Sequence, residues 1–213
     1  MSAGREEILA RIRHSLRDVP SGEQPQDVAV PRNYLTHEPD GTVERFVERV
    51  TDYGASVRFA VDGEAALAVG EACRAAGVDR LAVPPDLPAA WIPPGIESIA
   101  DASLPAGELD RIGAALTGCA LAIADTGTLV FDCGPGQGRR ALTLVPDVHV
   151  CVVEGAQVVD GVPSALRRLA PMLRNARRPV TFVSGPSATS DIEFSRVEGV
   201  HGPRRLELVV VRR

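Results

Sequence analysis

The sequence contains no lysine: all 23 of its basic residues are arginine. This absence excludes a Schiff-base lysine, a lysine general base and the phosphate-binding lysine of a Walker loop. Acidic residues number 28, so the formal net charge is -5 at pH 7. Proteins that bind nucleic acids carry a basic surface, and we therefore expect no nucleic-acid partner.

Close cysteine pairs are also absent. The four cysteines lie at positions 73, 119, 133 and 151, without the Cys-x-x-Cys spacing that is usual in iron–sulfur and structural zinc sites. No pair of histidines has metal-ligand spacing either. We therefore expect small buried cysteines, no metal site and no cofactor held by this chain.

Long apolar runs are missing as well. No window reaches 18 consecutive apolar residues, the length at which a membrane-spanning helix becomes a candidate. The N-terminus lacks a basic stretch followed by an apolar one, as a secretion signal would have. We therefore predict no membrane span and a cytoplasmic protein. A length of 213 residues suits one domain, or one domain with a small appendage.

The first 40 residues differ in composition from the rest. Residues 5–17 are predicted to form an amphipathic helix, with Ile8, Leu9, Ile12 and Leu16 on one face. Prolines then interrupt residues 18–40, which indicates a linker or a surface arm. The apolar face of the helix needs cover, either from its own body or from another chain. We divide the sequence into this segment, 1–40, and a domain over 41–213.

The domain alternates helical patterns with short apolar runs. This alternation predicts an α/β fold with a mostly parallel sheet flanked by helices. Predicted helices lie at 43–50, 64–76, 109–118 and 165–173. Predicted strands lie at 55–61, 81–83, 120–124, 129–131, 141–145, 149–153, 180–183 and 206–211.

Polar loops that contain glycine follow three of the predicted strands, at 125–128, 132–140 and 184–193. Ligands of open α/β sheets bind beyond the carboxyl ends of strands, so these loops are the expected site. Threonine hydroxyls in the first loop and backbone N–H groups with two arginines in the second suit a carboxylate or phosphate. Plain hairpin turns remain the alternative for both. The candidate ligand-binding residues here are Asp125, Thr126, Gly127, Thr128, Gly138, Arg139 and Arg140.

The third loop is rich in hydroxyl groups. Ser190 and Glu193 have capping-box spacing, which predicts a helix that begins at Asp191. Beyond that helix, His201 lies between glycines and could transfer a proton near neutral pH. His149 falls inside an apolar strand, and we interpret it as a core histidine. Further candidate ligand-binding residues are Gly185, Ser187, Thr189, Ser190 and Gly202, and the candidate catalytic residues are His201 and Asp191.

These segments together resemble a known family. Residues 124–128, 138–149, 184–193 and 199–203 are similar to motifs of the lactate-utilisation protein C family, whose members consist of a LUD domain. The resemblance covers roughly residues 43–211 and is most specific in the second half. It implies a fold of the coenzyme A transferase and ribose-phosphate isomerase type. It also implies a role, with partner subunits that carry iron–sulfur clusters, in the oxidation of L-lactate to pyruvate.

Three functions therefore compete. The first is a subunit of a lactate-oxidising complex that binds a small carboxylate or phosphorylated ligand and relies on its partners for an electron acceptor. The second, by analogy of fold alone, is a stand-alone enzyme for a sugar phosphate or an acyl coenzyme A. The third is a non-catalytic scaffold that docks through its N-terminal helix. We favour the first, combined with docking.

Overall fold

The N-terminal helix forms in the structure, a computed structural model that describes residues 3–20, 22–24, 27, 29, 31, 42–175, 178–189, 197–199 and 201–212. Helix α1 (Ala3–Ser15) belongs to the first of two units, Met1–Leu35, and the second unit is Thr36–Arg213. Ile8, Ile12 and Leu16 of the predicted apolar face are 61%, 48% and 55% exposed. Most of the predicted arm at 18–40 lies outside the described residues.

The second unit contains four α-helices and twelve strands among its described residues. The helices are α2 (Thr42–Asp52), α3 (Ala65–Ala76), α4 (Ala106–Ile112) and α5 (Val162–Asn175). The strands are β1 (Ser56–Val61), β2 (Arg80–Val83), β3 (Glu97–Ala100), β4 (Ala114–Gly118), β5 (Leu121–Ile123), β6 (Thr128–Phe131), β7 (Val148–Glu154), β8 (Val158–Val159), β9 (Thr181–Val183), β10 (Ala188–Thr189), β11 (Val197–Glu198) and β12 (Arg205–Arg212).

Six parallel strands form the main sheet, in the order β1-β12-β7-β4-β2-β3. Its central strands are apolar without alternation: β7 reads VHVCVVE, and its first six residues are buried. Such runs are expected of strands that are covered on both faces. The predicted α/β fold with a mostly parallel sheet and flanking helices is confirmed.

A second sheet packs against one face of the main sheet. Its order is β8-β5-β6-β9, with β5, β6 and β9 antiparallel. Leu129 and Phe131 share a buried cluster with Cys151 and Leu208 of the main sheet, which fills the space between the two sheets. Helix α3 covers the opposite face of the main sheet, and α5 covers the outer face of the second sheet.

Two predicted elements were wrong. The helix predicted to run to Gly118 ends at Ile112, because Gly113 adopts a left-handed conformation with φ 78° that closes the helix. Leu116 is therefore in the central strand β4 and fully buried. The strand predicted at 141–145 is instead a 3-10 turn, Arg140–Thr143. The edge strand β3 was not predicted at all.

None of the helices in the described part of the chain is long and apolar enough to cross a lipid bilayer.

Candidate functional site

A cleft of about 240 Å³ opens between the two sheets, at the amino ends of β7 and β12. We call it the cleft. Its floor is built by His149 and Leu206 from the main sheet, and Phe182 of β9 forms one wall. Water occupies roughly 30 Å³ per molecule in the liquid, so the cleft has room for a ligand of only a few non-hydrogen atoms.

Ligands of open α/β sheets usually bind beyond the carboxyl ends of the strands. The cleft lies instead at the amino ends of the main-sheet strands β7 and β12. The reason is that the loops at 132–140 and 184–193 follow β6 and β9, which belong to the second sheet. Their described residues that line the cleft, Arg140 and 185–188, lie at the amino ends of β7 and β12. The cleft nevertheless joins one arginine of the second predicted loop to residues 185–188 and 201–203.

That arginine is Arg140, which is half-buried at the start of the 3-10 turn. Its Nη1 donates hydrogen bonds to the carbonyl oxygen of Thr143 at 2.8 Å and to Thr143 Oγ1 at 2.6 Å. No carboxylate pairs with Arg140 among the described residues. Burial without such a partner lowers the pKa of the guanidinium, although arginine stays charged in proteins. Arg140 therefore offers the cleft a positive charge that is not neutralised.

The rim of the cleft is held by Ser187. Its Oγ accepts a hydrogen bond from the backbone N–H of His201 at 3.0 Å, and its own N–H donates to the carbonyl of Pro203 at 2.8 Å. The carbonyl of Ser187 accepts from the N–H of Gly199. These bonds leave the hydroxyl proton of Ser187 without an acceptor among the described residues, so it can be donated to a ligand.

Gly185 fixes where this rim begins. Its φ is +82°, and a Cβ at this position would lie 2.5 Å from Tyr53 Cβ. Only glycine combines that dihedral angle with that close approach. His201 and Gly202 complete the rim, with the His201 side chain exposed.

His149 is buried as predicted, with 1% of its surface exposed, but it also lines the cleft. Its Nε2 lies 2.8 Å from Thr117 Oγ1, and its ring centroid lies 5.5 Å from that of Phe131. Burial, with a smaller contribution from the charge of Arg140, lowers the pKa of His149 to about 3. The sequence offered one signal for its involvement, a histidine among the otherwise apolar buried residues of β7.

Arg139 and Gly138 lie outside the cleft lining. Arg139 donates to both carboxylate oxygens of Asp101, at 2.7 and 2.8 Å, and to the carbonyl of Leu104. This bidentate pair lowers the pKa of Asp101. Gly138 has φ +65°, and a Cβ there would meet Leu142 and Pro84. The two adjacent arginines therefore have different environments, and Arg140 alone faces the cleft.

The first predicted loop, residues 125–128, is the hairpin turn between β5 and β6, and none of its residues lines the cleft. Asp125 pairs with Arg45 of α2 at 2.9 Å, and Gly127, with φ +57°, lies against the backbone of Arg49 and Val50. The threonine hydroxyl groups of this turn are nevertheless connected to the rim of the cleft.

Thr126 Oγ1 lies 2.7 Å from Thr128 Oγ1, which lies 2.7 Å from Ser184 Oγ, immediately before Gly185. The chain of hydroxyl groups thus links the hairpin turn to the start of the rim.

Part of the third loop lies outside the described residues, including Ser190, Asp191 and the helix predicted to begin there. Thr189 is in β10, which pairs with β11, and its side chain is not described. These candidates stay predictions. Among the described residues, no group of three histidine, cysteine, aspartate or glutamate side chains has an arrangement that could hold a metal ion.

The polar groups of the cleft have complementary properties. Arg140 provides a charge for an anion, Ser187 provides a hydroxyl donor, and His149 provides a neutral imidazole at the floor. Arginine recognises carboxylate and phosphate oxygens through its planar fork of donors. The volume and the one arginine among the described lining residues suit a small monoanion.

Comparisons with known proteins agree with the fold. The family model described as LUD domain matches residues 106–211, which include all the cleft residues named above. The chain is 46% identical over 170 residues to lactate utilization protein C of Deinococcus radiodurans, and the match covers 79% of each chain. It is 37% identical over 92 residues to lactate utilization protein C of Bacillus pumilus, covering 42% of this chain and 38% of that protein.

A solved structure is similar as well. The crystal structure of a DUF162 family protein from Deinococcus radiodurans has a TM-score of 0.70 to this chain at 38% identity, covering 81% of this chain and 99% of that one. The match of the family model and the 46% identity over most of both chains show that this chain belongs to the LUD-domain family of lactate utilization protein C.

Proposed function

We propose that this protein acts in lactate utilisation and that the cleft binds a small carboxylate of that process, L-lactate or pyruvate. The observation that carries this proposal is Arg140, a half-buried guanidinium that faces a cavity and has no carboxylate partner among the described residues. The names of the relatives support the process, and the chemistry of the cleft supports the ligand.

Arg140 loses part of its hydration because it is half-buried. A buried charge is costly unless a counter-charge and hydrogen bonds compensate it. The hydrogen bonds from Arg140 to Thr143 provide part of this compensation, but they provide no negative charge. A bound carboxylate would supply that charge and accept from the remaining guanidinium donors and from Ser187. Binding would therefore relieve a cost that the free protein bears.

Oxidation of lactate also needs an electron acceptor, which cofactors or clusters supply in enzymes. We propose that partner subunits with iron–sulfur clusters provide it and that this chain contributes the carboxylate site to the complex. On this proposal, the purified chain alone binds lactate but does not oxidise it. Steady oxidation of lactate by the purified chain would contradict the division of roles.

Isothermal titration calorimetry of the full chain with L-lactate, pyruvate and propionate tests the carboxylate site, with lactamide as an uncharged analogue. We expect the acids to bind and lactamide not to bind. Arg140→Gln removes a charged hydrogen bond that is worth about 1.5–3 kcal/mol, so affinity for the acids should fall roughly 10- to 150-fold.

Arg139→Gln is the matched control, since it removes the neighbouring charge outside the cleft. We expect it to lower thermal stability by breaking the pair with Asp101 and to leave carboxylate affinity within about twofold. Equal affinities in the wild type and in Arg140→Gln would remove Arg140, and with it this cleft, from the proposal.

A further inference from the structure

The polar atoms around His149 determine which of its ring nitrogens carries the proton. Thr117 Oγ1 lies 2.9 Å from the carbonyl oxygen of Gly118, which can only accept, so we place the single hydroxyl hydrogen of Thr117 in that bond. The same hydroxyl oxygen lies 2.8 Å from His149 Nε2, and it has no second hydrogen to give. We therefore assign the proton of the neutral ring to Nε2, which donates to Thr117.

This assignment makes Nδ1 an acceptor. A neutral imidazole has one N–H and one lone pair, and the lone pair is then on Nδ1. Nδ1 forms no hydrogen bond among the described residues, and His149 lines the cleft. A nearly completely buried side chain thus offers the cavity an acceptor that has no partner in the described structure.

The surroundings hold the ring in this state. Phe131 packs at 5.5 Å with an angle of 45° between the rings, which limits rotation of the imidazole. Arg140 lies near enough for its charge to oppose protonation of the ring. His149 therefore remains a neutral acceptor beside the cation that is proposed to hold a carboxylate.

From this arrangement we propose that the cleft selects 2-hydroxy acids over the corresponding 2-keto acids, because His149 Nδ1 accepts a hydrogen bond from the ligand hydroxyl while Arg140 holds the carboxylate. A 2-hydroxy acid carries its donor on the carbon next to the carboxylate, which matches an acceptor that lies near Arg140. A keto oxygen has only lone pairs to direct at Nδ1 and repels it. The inference rests on the proposed carboxylate site and specifies its ligand class.

Calorimetry of the full chain at pH 7 with L-lactate, propionate and pyruvate measures this selectivity. One neutral hydrogen bond is worth about 0.5–1.5 kcal/mol, so L-lactate should bind roughly 2- to 12-fold more tightly than propionate. Pyruvate should bind no more tightly than propionate. In His149→Phe, the ratio of the affinity for L-lactate to the affinity for propionate should fall to about 1.

Thr117→Val provides an independent variant, because it removes the acceptor of Nε2–H without altering the cleft lining. The ring can then carry its proton on Nδ1, and the advantage of L-lactate should fall. Nitrogen-15 NMR of the His149 ring reports the tautomer directly. We expect Nε2–H in the wild type and a population of Nδ1–H in Thr117→Val, a change that loss of packing alone would not produce.

The outcomes separate the two proposals. Equal affinities for L-lactate and propionate in the wild type, or an NMR signal that places the proton on Nδ1, would overturn the selectivity and leave the carboxylate site intact. Failure of all three acids to bind would overturn the proposed function and this inference with it. If His149→Phe does not fold, the wild-type tautomer and Thr117→Val still decide the question.

Discussion

The glycine-rich loop at residues 132–139 and the cleft are adjacent along the chain, but they differ in how their polar groups are satisfied. In the loop, Asp132 Oδ1 accepts from the N–H of Gly134 and from Gln137 Nε2, and its Oδ2 accepts from Arg178 at 2.6 Å. Gln137 in turn accepts from the N–H of Asp132. In the cleft, each of Arg140, Ser187 and His149 has a partner for some of its polar atoms, but the charge of Arg140, the hydroxyl proton of Ser187 and Nδ1 of His149 have none among the described residues.

This difference distinguishes polar groups that stabilise the fold from polar groups that are available to bind a ligand. Buried polar groups are almost always paired because unpaired ones cost free energy. The Asp132 carboxylate and the Gln137 amide of the loop follow that rule, whereas Nε of the adjoining Arg178 has no partner in the described structure. In the cleft, by contrast, Arg140 has no carboxylate partner among the described residues and lines a cavity that a small ligand can enter. Residue type alone would not distinguish the loop from the cleft, because Arg139 of the loop and Arg140 of the cleft are chemically identical neighbours.

The largest effect is expected from Asp132→Ala, which tests whether the loop is structural. Asp132 is 5% exposed, and its removal leaves a buried amide, a backbone N–H and part of a guanidinium without their acceptor. Removing one member of a buried charged network costs about 3–5 kcal/mol, and we expect about 3, because Arg178 is partly exposed. Chemical denaturation measures the loss.

Asp86→Ala is the control for this prediction. Asp86 also accepts a backbone N–H of the loop, from Gly136 at 3.1 Å, but its side chain is at the surface. We expect a loss of about 1 kcal/mol or less. If Asp132→Ala instead abolished carboxylate binding at unchanged stability, the loop and the cleft would not be separate in function.

A smaller effect is expected from the pH dependence of the cleft. Unfolded histidine has a pKa of about 6.5, whereas burial lowers the pKa of His149 to about 3. The unfolded state therefore binds one more proton between these values, so stability falls as the pH drops from about 6.5 towards 3. At pH 4.5, the titration of His149 alone should have lowered the free energy of unfolding by about 2–3 kcal/mol.

His149→Phe should abolish that part of the acid-induced loss, as measured by urea denaturation at pH 7.0 and pH 4.5. The matched control is His201→Gln, which removes an exposed histidine of the rim and should keep the loss. An identical pH dependence in the wild type and in His149→Phe would show that the ring is not held neutral in the cleft.

The fold could be read from the sequence wherever one pattern dominated. The apolar run of β7 and the 3.6-residue spacing of α2 each have one interpretation, and both elements form. The prediction for Leu116 was wrong because β4 is alanine-rich, with Thr117 as its one β-branched residue, and because Leu116 continues the helical spacing of α4. The left-handed conformation of Gly113 that ends the helix depends on backbone geometry. The strand predicted at 141–145 was wrong because this mostly apolar run, ALTLV, also suits a buried turn, and the chain turns there towards β7.

The site was only partly predictable for a related reason. Sequence located the segments that contain Arg140, Ser187, His201 and Gly202, because glycine and polar residues mark loops. It could not separate Arg140 from Arg139, since that depends on Asp101, 38 residues earlier along the chain. It also gave His149 a core role, because the position of a strand end at a cavity is a tertiary property.

The smallest effect concerns two serines that lie three residues apart. Ser187→Ala removes the acceptor of the His201 N–H, and Ser184→Ala removes the hydroxyl that bonds to Thr128. Each hydrogen bond is worth about 1 kcal/mol, so thermal unfolding should show similar small losses for the two variants. Only Ser187 lines the cleft, so its variant alone should also weaken L-lactate binding, roughly 2- to 10-fold. Equal weakening by both would mean that the rim acts through its backbone position, whereas weakening confined to Ser187→Ala would identify its hydroxyl as a ligand donor.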